Sequence, residues 1–293
     1  MKKQFTASEK VFMWTIFVMM ALLALSILMP IVWAMYSSVK TRLDYALNML
    51  GLPQEIKWEN YVNVYEHIKV TITNEQGQKT FYFWGMFGNS LLYSGLDGVI
   101  SVLMPGLMGY IVAMYNFKGK GFIQTTNIIM MIIPIVGSLP AYLRMLTFFG
   151  CYDNLVLFIL TQNSAFGFNF LIFYGAFKSL SWTYAEAAFL DGASHFKVMI
   201  KIYLPMMLPT FAMMYVLAFV GSWNKYEQFM LYLPSYPNLF LGMYYFQNNA
   251  SINYATQPEI LAGLLLVAIP SAILYLSSQR LLRARFIVGG LKG

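Results

Sequence analysis

Residues 186–205, EAAFLDGASHFKVMIKIYLP, place four charged side chains between two long apolar runs of the chain. Glu186 and Asp191 precede Gly192, and two lysines follow it. The alanine-rich first half favours a helix, glycine suits the left-handed position at a helix end, and apolar residues then resume a helical spacing. The pattern predicts a helix, a sharp turn at Gly192 and a second helix that ends at Pro205.

The composition indicates that this stretch belongs to a membrane protein. Hydrophobic residues make up 59% of the 293 residues and charged residues 11%, whereas a soluble domain carries about 25% charged residues. Six apolar stretches are long enough to cross the hydrocarbon core as helices, and their continuous apolar character excludes barrel strands. They are residues 11–35, 86–114, 122–145, 155–177, 206–223 and 259–279. We therefore predict an all-α polytopic membrane protein with six transmembrane helices.

Lysine and arginine residues set the predicted orientation. They concentrate in the connections on one side, whereas the short connections on the other side hold only Arg144 and Lys225. Because cytoplasmic loops carry the excess of basic residues, both termini and the connection 178–205 are predicted to be cytoplasmic. The N-terminal apolar run is too long for a signal peptide and no small-residue cleavage site follows it, which indicates an uncleaved anchor. The net charge of +7 reflects this bias and does not indicate nucleic-acid binding.

The cytoplasmic tract has two explanations from its residues alone. It leaves Ala187, Ala188, Phe189 and Leu190 exposed to the cytoplasm, so it either binds a partner protein or rests on lipid as an amphipathic interfacial helix. The first explanation makes the tract a contact surface. The second makes it a passive connection.

Five motifs together resemble those of binding-protein-dependent ABC importer permeases. EAAFLDGA followed by IKIYLPMMLP resembles their EAA signature, and FGNSLLYS is similar to the entry of the second span in carbohydrate permeases. YNFKGKGF resembles their short basic loop, and GSWNKYEQF their Trp-Asn motif. SSQRLLRARFIVGGLKG resembles the ending of the maltose-type subunit. The motifs cover most of the chain from Phe87 onward, whereas the long connection 36–85 has no clear counterpart.

The resemblance implies an ABC importer type I permease fold in a bacterial cell membrane. An N-terminal helix and a long extracellular loop would occupy residues 1–85, and a five-helix core residues 86–293. The chain would form half of a heterodimeric pore with a second permease, two ATPase subunits would bind inside, and an extracellular sugar-binding protein would deliver the substrate. The EAA helix would couple to one ATPase. The residues to which the resemblance gives this role are Glu186, Ala187, Ala188, Asp191, Gly192, Leu204 and Pro205.

No catalytic or metal site is predicted. The glycine-lysine in KGKGF lacks the spacing of a phosphate-binding loop, so ATP and magnesium are expected only in the partner ATPase and no cofactor in this chain. His67 and His195 stand far apart without a ligand cluster. A polytopic membrane enzyme or a flippase would need acids or histidines in its outer loops. The other alternative is a permease for peptides or ions.

Polar residues inside the spans have two explanations each. Asp97 is the one mid-span carboxylate, which suggests a functional site, but the glycines around it also suit a hydrogen bond to a packed neighbouring helix. The fourth span mixes amides with aromatic rings, which suits a sugar passage, although the same amides serve interhelical hydrogen bonds. The passage residues considered are Gln162, Asn163, Phe166, Phe168 and Asn169.

Two further segments are expected to contact partners. Residues 235–258 are neutral and rich in tyrosine, asparagine and phenylalanine, and they resemble the loop with which such subunits reach the binding protein. A plain solvated loop is the alternative. By resemblance to the maltose-type subunit, the tail contacts the seam between the two ATPases through Gly289, Gly290 and Lys292, whereas a disordered terminus would have no partner.

Overall fold

A computed structural model of the chain describes residues 6–74, 77–133, 137–248 and 255–283. Helices form most of these residues, and one two-stranded antiparallel hairpin lies among them. The helices are α1 (Ala7–Ser37), α2 (Arg42–Leu47), α3 (Glu59–His67), α4 (Phe83–Met114), α5 (Lys120–Ile132), α6 (Leu139–Phe148), α7 (Leu155–Gln162), α8 (Phe168–Lys178), α9 (Thr183–Leu190), α10 (His195–Val198), α11 (Leu204–Trp223), α12 (Glu227–Leu231), α13 (Leu239–Asn248) and α14 (Gln257–Arg283). The strands are β1 (Lys69–Asn74) and β2 (Gly77–Tyr82), and a π-helical turn (Met199–Tyr203) joins α10 to α11.

Four helices in the described residues are long and apolar enough to cross a membrane. They span Ser8–Ser37, Phe83–Met114, His195–Trp223 and Gln257–Gln279. These helices contain the first, second, fifth and sixth predicted spans. The first of them buries none of its most apolar window within the chain.

The third and fourth predicted spans are not single helices, contrary to expectation. Residues 122–145 overlap two helices: α5 ends at Ile132, and α6 begins at Leu139. Residues 155–177 contain α7 and α8, and Gly167 between them has a φ of 103° and a ψ of −157°. That backbone conformation is open to glycine and not to helical residues, so the helix cannot continue through it. The polar residues 161–164 stand just before this break, and a prediction made from the mean apolar character of residues 155–177 did not take them into account.

The long connection 36–85 is folded, and its hairpin departs from the all-α prediction. β1 pairs with β2 in the register Lys69↔Tyr82, and Thr71 lies opposite Thr80 with their hydroxyls 3.0 Å apart. The sequence KVTITN alternates apolar and polar residues, as a strand with one covered face does. The prediction missed the strand because the alternation is short and the rest of the chain favours helices.

The chain divides into two compact units, and the first comprises Met1–Ile68 and Tyr245–Ala268. Its polar centre lies where α1 ends. The Asn60 side chain, almost fully buried, donates hydrogen bonds to the carbonyls of Ser38 and Lys40 at 2.7 and 2.9 Å. Asn63 donates to the Glu259 carboxylate at 2.8 Å. These bonds hold α1, α3 and the start of α14 together within the unit.

The second unit comprises Lys69–Tyr244 and Ile269–Gly293. Its central helix, α4, packs against α8 and α11. The approach to α8 is close at Gly109, where a Cβ would lie 2.8 Å from the Phe173 Cβ and 3.0 Å from the Tyr174 amide nitrogen. The glycines around Asp97 were expected to mark a closely packed helix, and this contact confirms that expectation.

Candidate functional site

Residues 183–203 fold as the sequence predicts, into a helix, a sharp turn and a second helical segment. At the end of α9, Gly192 takes a φ of 76°, a left-handed conformation that glycine adopts without steric cost. The Gly192 amide donates to the Phe189 carbonyl at 3.0 Å, and the Ala193 amide donates to the Ala188 carbonyl at 2.9 Å. These two bonds form a Schellman motif, which satisfies the carbonyls at the helix end and reverses the chain direction.

One face of α9 is exposed and the other is packed. Leu190 keeps 90% of its surface accessible, which is unusual for a large apolar side chain. Ala188 and Phe189 are half-buried, so the expectation that they are exposed together with their neighbours is wrong, because successive residues of a helix point about 100° apart. The exposed side chains of this face are Glu186, Ala187, Leu190 and Asp191.

The chain enters α11 directly after the π-helical turn. Lys197 and Lys201 are exposed, which gives this second segment a basic surface beside the acidic face of α9. Leu204 is half-buried, and Pro205 is exposed in the first turn of α11. The helical run His195–Trp223 continues through Pro205, so the prediction that the second helix ends at this proline is wrong.

Aromatic side chains hold α9 against the rest of its unit. The Phe189 and His195 rings lie 4.6 Å apart between centroids, and the His195 Nδ1 lies 3.1 Å from the Tyr115 hydroxyl. The Tyr115 ring also contacts Trp182 edge-on, at 5.7 Å between centroids. Because Trp182 and His195 flank α9 on both sides in the sequence, the Tyr115 contacts fix both ends of the exposed helix. His195 therefore has a packing role that its sequence position did not reveal.

Asp97 joins three helices inside the apolar region. Its side chain is almost fully buried. One carboxylate oxygen accepts a hydrogen bond from the Asn163 amide at 2.7 Å, and the other accepts one from the Ser222 hydroxyl. Asn163 also donates to the Ile159 carbonyl at 2.8 Å, at the end of α7. Asp97 thus connects α4 to α7 and α11, as expected if it bonds packed neighbouring helices.

A second chain of polar groups runs beside Asp97. The Tyr93 hydroxyl donates to Gln228 at 2.5 Å, Gln228 donates to Gln162 at 3.3 Å, and Gln162 donates to the Tyr142 hydroxyl at 2.8 Å. Both ends of the Gln162 amide are therefore engaged within the protein. Sequence reasoning missed Tyr93, Tyr142 and Gln228, because a single polar residue in an apolar run does not reveal which distant residue it meets.

The break between α7 and α8 is supported from α5. Asn127, almost fully buried, accepts a hydrogen bond from the Gly167 amide at 2.5 Å. The Asn169 side chain donates to the Ser101 carbonyl of α4 at 3.1 Å. Phe166 and Phe168 extend outward from the break, with 36% and 66% of their surfaces exposed. The structure thus places the amides of the expected passage toward the helices and its two phenylalanines toward the exterior.

The connection after α12 is held by an acidic side chain. The Asp153 carboxylate accepts hydrogen bonds from the amide and the hydroxyl of Ser235, at 2.9 and 2.6 Å. Its own amide donates to the Tyr232 carbonyl at 2.9 Å, and its φ of 53° is an uncommon value for a residue other than glycine. These contacts fix the start of the segment 235–258.

Two other expectations concern metals and the tail. In the ranges that the structure describes, no three or more His, Cys, Asp or Glu side chains lie together as a metal site would require. His67 has its Nδ1 2.7 Å from the Asn63 carbonyl, one turn earlier in α3. The tail residues Gly289, Gly290 and Lys292 lie outside the described residues.

Comparison with known protein families gives the class of this helical membrane protein. Residues 106–288 match the family described as "Binding-protein-dependent transport system inner membrane component", and the match covers more than half of the chain. The chain belongs to this family. The predicted permease class is thereby confirmed, and the chain is a membrane component of a transporter rather than an enzyme.

Relatives and solved structures agree with this assignment. The chain is 27% identical over 288 residues to the arabinooligosaccharides transport system permease protein AraQ of Halalkalibacterium halodurans, covering 96% of each chain. It is 27% identical over 234 residues to the maltodextrin transport system permease protein MalD of Streptococcus pneumoniae, covering 78% of this chain and 82% of the relative. A chain of a bacterial ABC transporter involved in the import of the acidic polysaccharide alginate is similar in structure, with a TM-score of 0.72 at 22% identity, covering 95% of this chain and 99% of that chain. This likeness confirms the predicted permease fold.

Proposed function

We propose that this chain is one of two permease subunits of an ATP-driven, binding-protein-dependent importer of a sugar or oligosaccharide. The exposed α9, with its Schellman turn and its aromatic support, carries the proposal, because a helix held rigidly at both ends can transmit movement from a bound partner. The names of the relatives, which refer to arabinooligosaccharides and maltodextrin, support a carbohydrate substrate. The comparisons do not favour a peptide or ion importer, a membrane enzyme or a flippase.

The exposed face of α9 is the proposed contact with one ATPase subunit. Leu190 lies between two carboxylates, Glu186 and Asp191, on a face that nothing in its unit covers. Such a face fits a cleft with an apolar floor and a basic rim. Ala187 shares this face. Ala188 is half-buried and packs on the opposite side of α9, against the core of its unit.

We propose the remaining partners from what the resemblance to ABC importer permeases implies. A second permease chain completes the pore, two ATPase subunits bind ATP and magnesium, and an extracellular sugar-binding protein delivers the substrate. The chain crosses the bacterial cell membrane six times with both termini in the cytoplasm, and α5–α6 and α7–α8 form two discontinuous crossings. Solved structures of a bacterial alginate transporter include one in complex with an alginate pentasaccharide-bound periplasmic protein, which supports this arrangement.

The break between α7 and α8 is the proposed contribution of this chain to the sugar passage. Non-helical backbone at membrane depth is tolerated only where protein buries it or where it lines a water-filled cavity. The exposed rings of Phe166 and Phe168 would lie against the apolar faces of a sugar. Gln162 and Asn163 are engaged in hydrogen bonds between helices, so we assign them to the support of this break rather than to direct substrate contact.

Two peripheral contacts complete the proposal. The segment 235–258, held at its start by Asp153, would contact the binding protein. The tail with Gly289, Gly290 and Lys292 would lie at the seam between the ATPases. Deletion of residues 287–293 tests the tail, because it should weaken copurification of the ATPases while membrane insertion stays normal. Full retention of the ATPases would exclude this role.

Charge reversal on α9 tests the function directly. Glu186→Lys is expected to abolish sugar uptake and ATPase copurification, because it turns an acidic contact into a basic one. The matched control is Glu66→Lys, which makes the same change at an exposed position of α3. Membrane levels of both variants are compared by quantitative blotting. Normal uptake by Glu186→Lys would exclude α9 as the coupling surface.

Cysteine labelling tests the orientation. A membrane-impermeant maleimide added to intact cells should modify a cysteine at Asn248 and not one at Ser194, in a background in which Cys151 is replaced by serine. Both positions are exposed in the structure, so accessibility to water does not favour either one. Modification at Ser194 from outside would reverse the proposed orientation.

A further inference from the structure

The turn that follows α2 has its carbonyl groups satisfied by side chains of α1 and the residues just beyond it. The Trp33 indole donates to the Met49 carbonyl at 3.0 Å, and the Tyr36 hydroxyl donates to the Leu50 carbonyl at 2.8 Å. The Lys40 ammonium, on a fully buried side chain, donates to the carbonyls of Asn48 and Met49 at 2.6 and 3.3 Å. Three consecutive carbonyls of a non-helical turn therefore have donors from the protein.

The Asn48 side chain closes the same turn from within. Its amide oxygen accepts a hydrogen bond from Gly51 at 2.9 Å, and its amide nitrogen donates to the Leu52 carbonyl at 3.3 Å. A Cβ at Gly51 would lie 2.2 Å from this amide oxygen, so a larger residue there would displace the Asn48 side chain from both hydrogen bonds. The turn is thus a specific structure and not an irregular connection.

The side chains of this turn are apolar and exposed. Leu47, Leu50 and Leu52 keep 80%, 79% and 73% of their surfaces accessible, and Leu43 and Met49 keep 69% and 51%. A solvated loop would hydrate its carbonyls and expose polar side chains. Here the carbonyls of residues 48–50 accept hydrogen bonds from the protein, the Asp44 carboxylate is buried and accepts one from the Gln54 amide at 3.0 Å, and the apolar side chains point outward. This is the arrangement that a lipid environment requires.

The position of Trp33 along α1 gives the depth of the turn. From Val11, where the apolar run begins, to Trp33 the helix rises about 33 Å at about 1.5 Å per residue, close to the hydrocarbon thickness of about 30 Å. Trp33 therefore lies at the far boundary of the hydrocarbon, where tryptophan and tyrosine are enriched. Its hydrogen bond to Met49 places the turn at the same depth, next to the lipid-facing surface of α1.

We propose that residues 43–52, the apolar turn, insert into the membrane leaflet at the C-terminal end of α1. The occupant of the exposed apolar surface is phospholipid, because the surface is continuous with α1, whose apolar window is not covered within the chain. Under the proposed function this leaflet is the outer one, but the insertion depends only on the depth of Trp33. The apolar turn would fix the height of the extracellular part of the first unit above the bilayer.

Depth-dependent fluorescence quenching tests the proposal on the full-length chain in phosphatidylcholine nanodiscs, where both faces are accessible. Single cysteines are placed by Leu47→Cys, Leu50→Cys and, as an exposed control on α3, Glu66→Cys, each with Cys151→Ser, and they are labelled with a small fluorophore. We expect lipids carrying a nitroxide near the headgroup end of the acyl chain to quench the labels at 47 and 50. Aqueous iodide should quench these two labels several-fold less than the control.

Two outcomes overturn the proposal. Iodide quenching of the labels at 47 and 50 as strong as that of the control would show a solvated turn. Protection from both quenchers would show that protein, such as a second copy of the chain, covers the surface. Neither outcome bears on sugar transport, so failure here is distinguishable from failure of the proposed function.

A double variant tests the hydrogen bonds to α1. Trp33→Phe with Tyr36→Phe removes both ring donors and keeps the apolar rings, and we expect the label at 50 to become several-fold more accessible to iodide. Tyr45→Phe, which removes a hydroxyl from α2 outside these bonds, is the control and should leave the quenching unchanged. Equal quenching in the double variant and the control would refute the account of how the turn is held.

Discussion

Under the proposed function, replacing Gly192 by alanine is expected to weaken the coupling of α9 to the ATPase without removing a contact. A Cβ at Gly192 would meet nothing within 4 Å, so any effect comes from the backbone, whose φ is 76°. A non-glycine residue in this region costs about 1–2 kcal/mol, and the reduced freedom of the unfolded chain offsets about 0.4–1 kcal/mol. The net cost of about 1 kcal/mol would lower the ratio of formed to unformed Schellman turn about fivefold.

The assay is ATP hydrolysis stimulated by the sugar-loaded binding protein, measured on the reconstituted transporter together with sugar uptake. Gly192→Asn should lie between the parent and Gly192→Ala, because asparagine tolerates the left-handed region. Gly175→Ala is the matched control, since it adds the same methyl group inside α8, where nothing lies within 4 Å and φ is not positive. Equal stimulation in Gly192→Ala and Gly175→Ala would refute the reasoning.

Three further predictions concern the membrane region. Asp97→Ala removes the acceptor of Asn163 and Ser222 and is expected to cost about 1–3 kcal/mol of stability, with Asp97→Asn less affected, as thermal unfolding in detergent would show. Gly109→Ala forces a Cβ against Phe173 and should cost about 1–3 kcal/mol of stability in the same measurement. Gly95→Ala is the control, because nothing lies within 4 Å of its added Cβ, and it should leave the stability unchanged. Equal melting temperatures of the two variants would contradict the close approach of α4 to α8. Under the proposed function, Phe168→Ala should raise the half-saturating sugar concentration for uptake by removing a direct contact, and Asn163→Ala should raise it by weakening the support of the break. Unchanged uptake in both would exclude the break as part of the sugar passage.

The features that sequence predicted well are those that neighbouring residues determine. The run 11–35 and its counterparts in α4, α11 and α14 are helices because a continuous helix satisfies every backbone group of an apolar stretch within the stretch itself. The turn at Gly192 is equally local, because the helix-forming residues before it and the glycine itself are adjacent in the chain. Both features depend on no contact between distant positions.

The features that sequence did not predict depend on such contacts. Asp97 and Ser222 are 125 positions apart, and their hydrogen bond exists only because α4 packs against α11. The break at Gly167 is stable because Asn127 of another helix accepts its amide hydrogen. The polar run at residues 161–164 lies directly before this break, but the window that defines a long apolar span averages over it, so the sequence alone did not show where the helix ends.

The π-helical turn at Met199–Tyr203 has a consequence for the direction in which the exposed face of α9 points. Such a turn usually holds one residue more than an α-helix of the same length, and each α-helical residue advances the chain by about 100° around the axis. Deleting one residue between 199 and 203 would therefore let the segment relax to an α-helix and swing α9 by about 100° around α11. Every side chain of the surface would be retained, yet Glu186 would face another direction. The residues of α9 thus determine which side chains its exposed face carries, whereas residues 199–203 determine the direction in which that face points. The gain or loss of a single residue in the turn would change this direction.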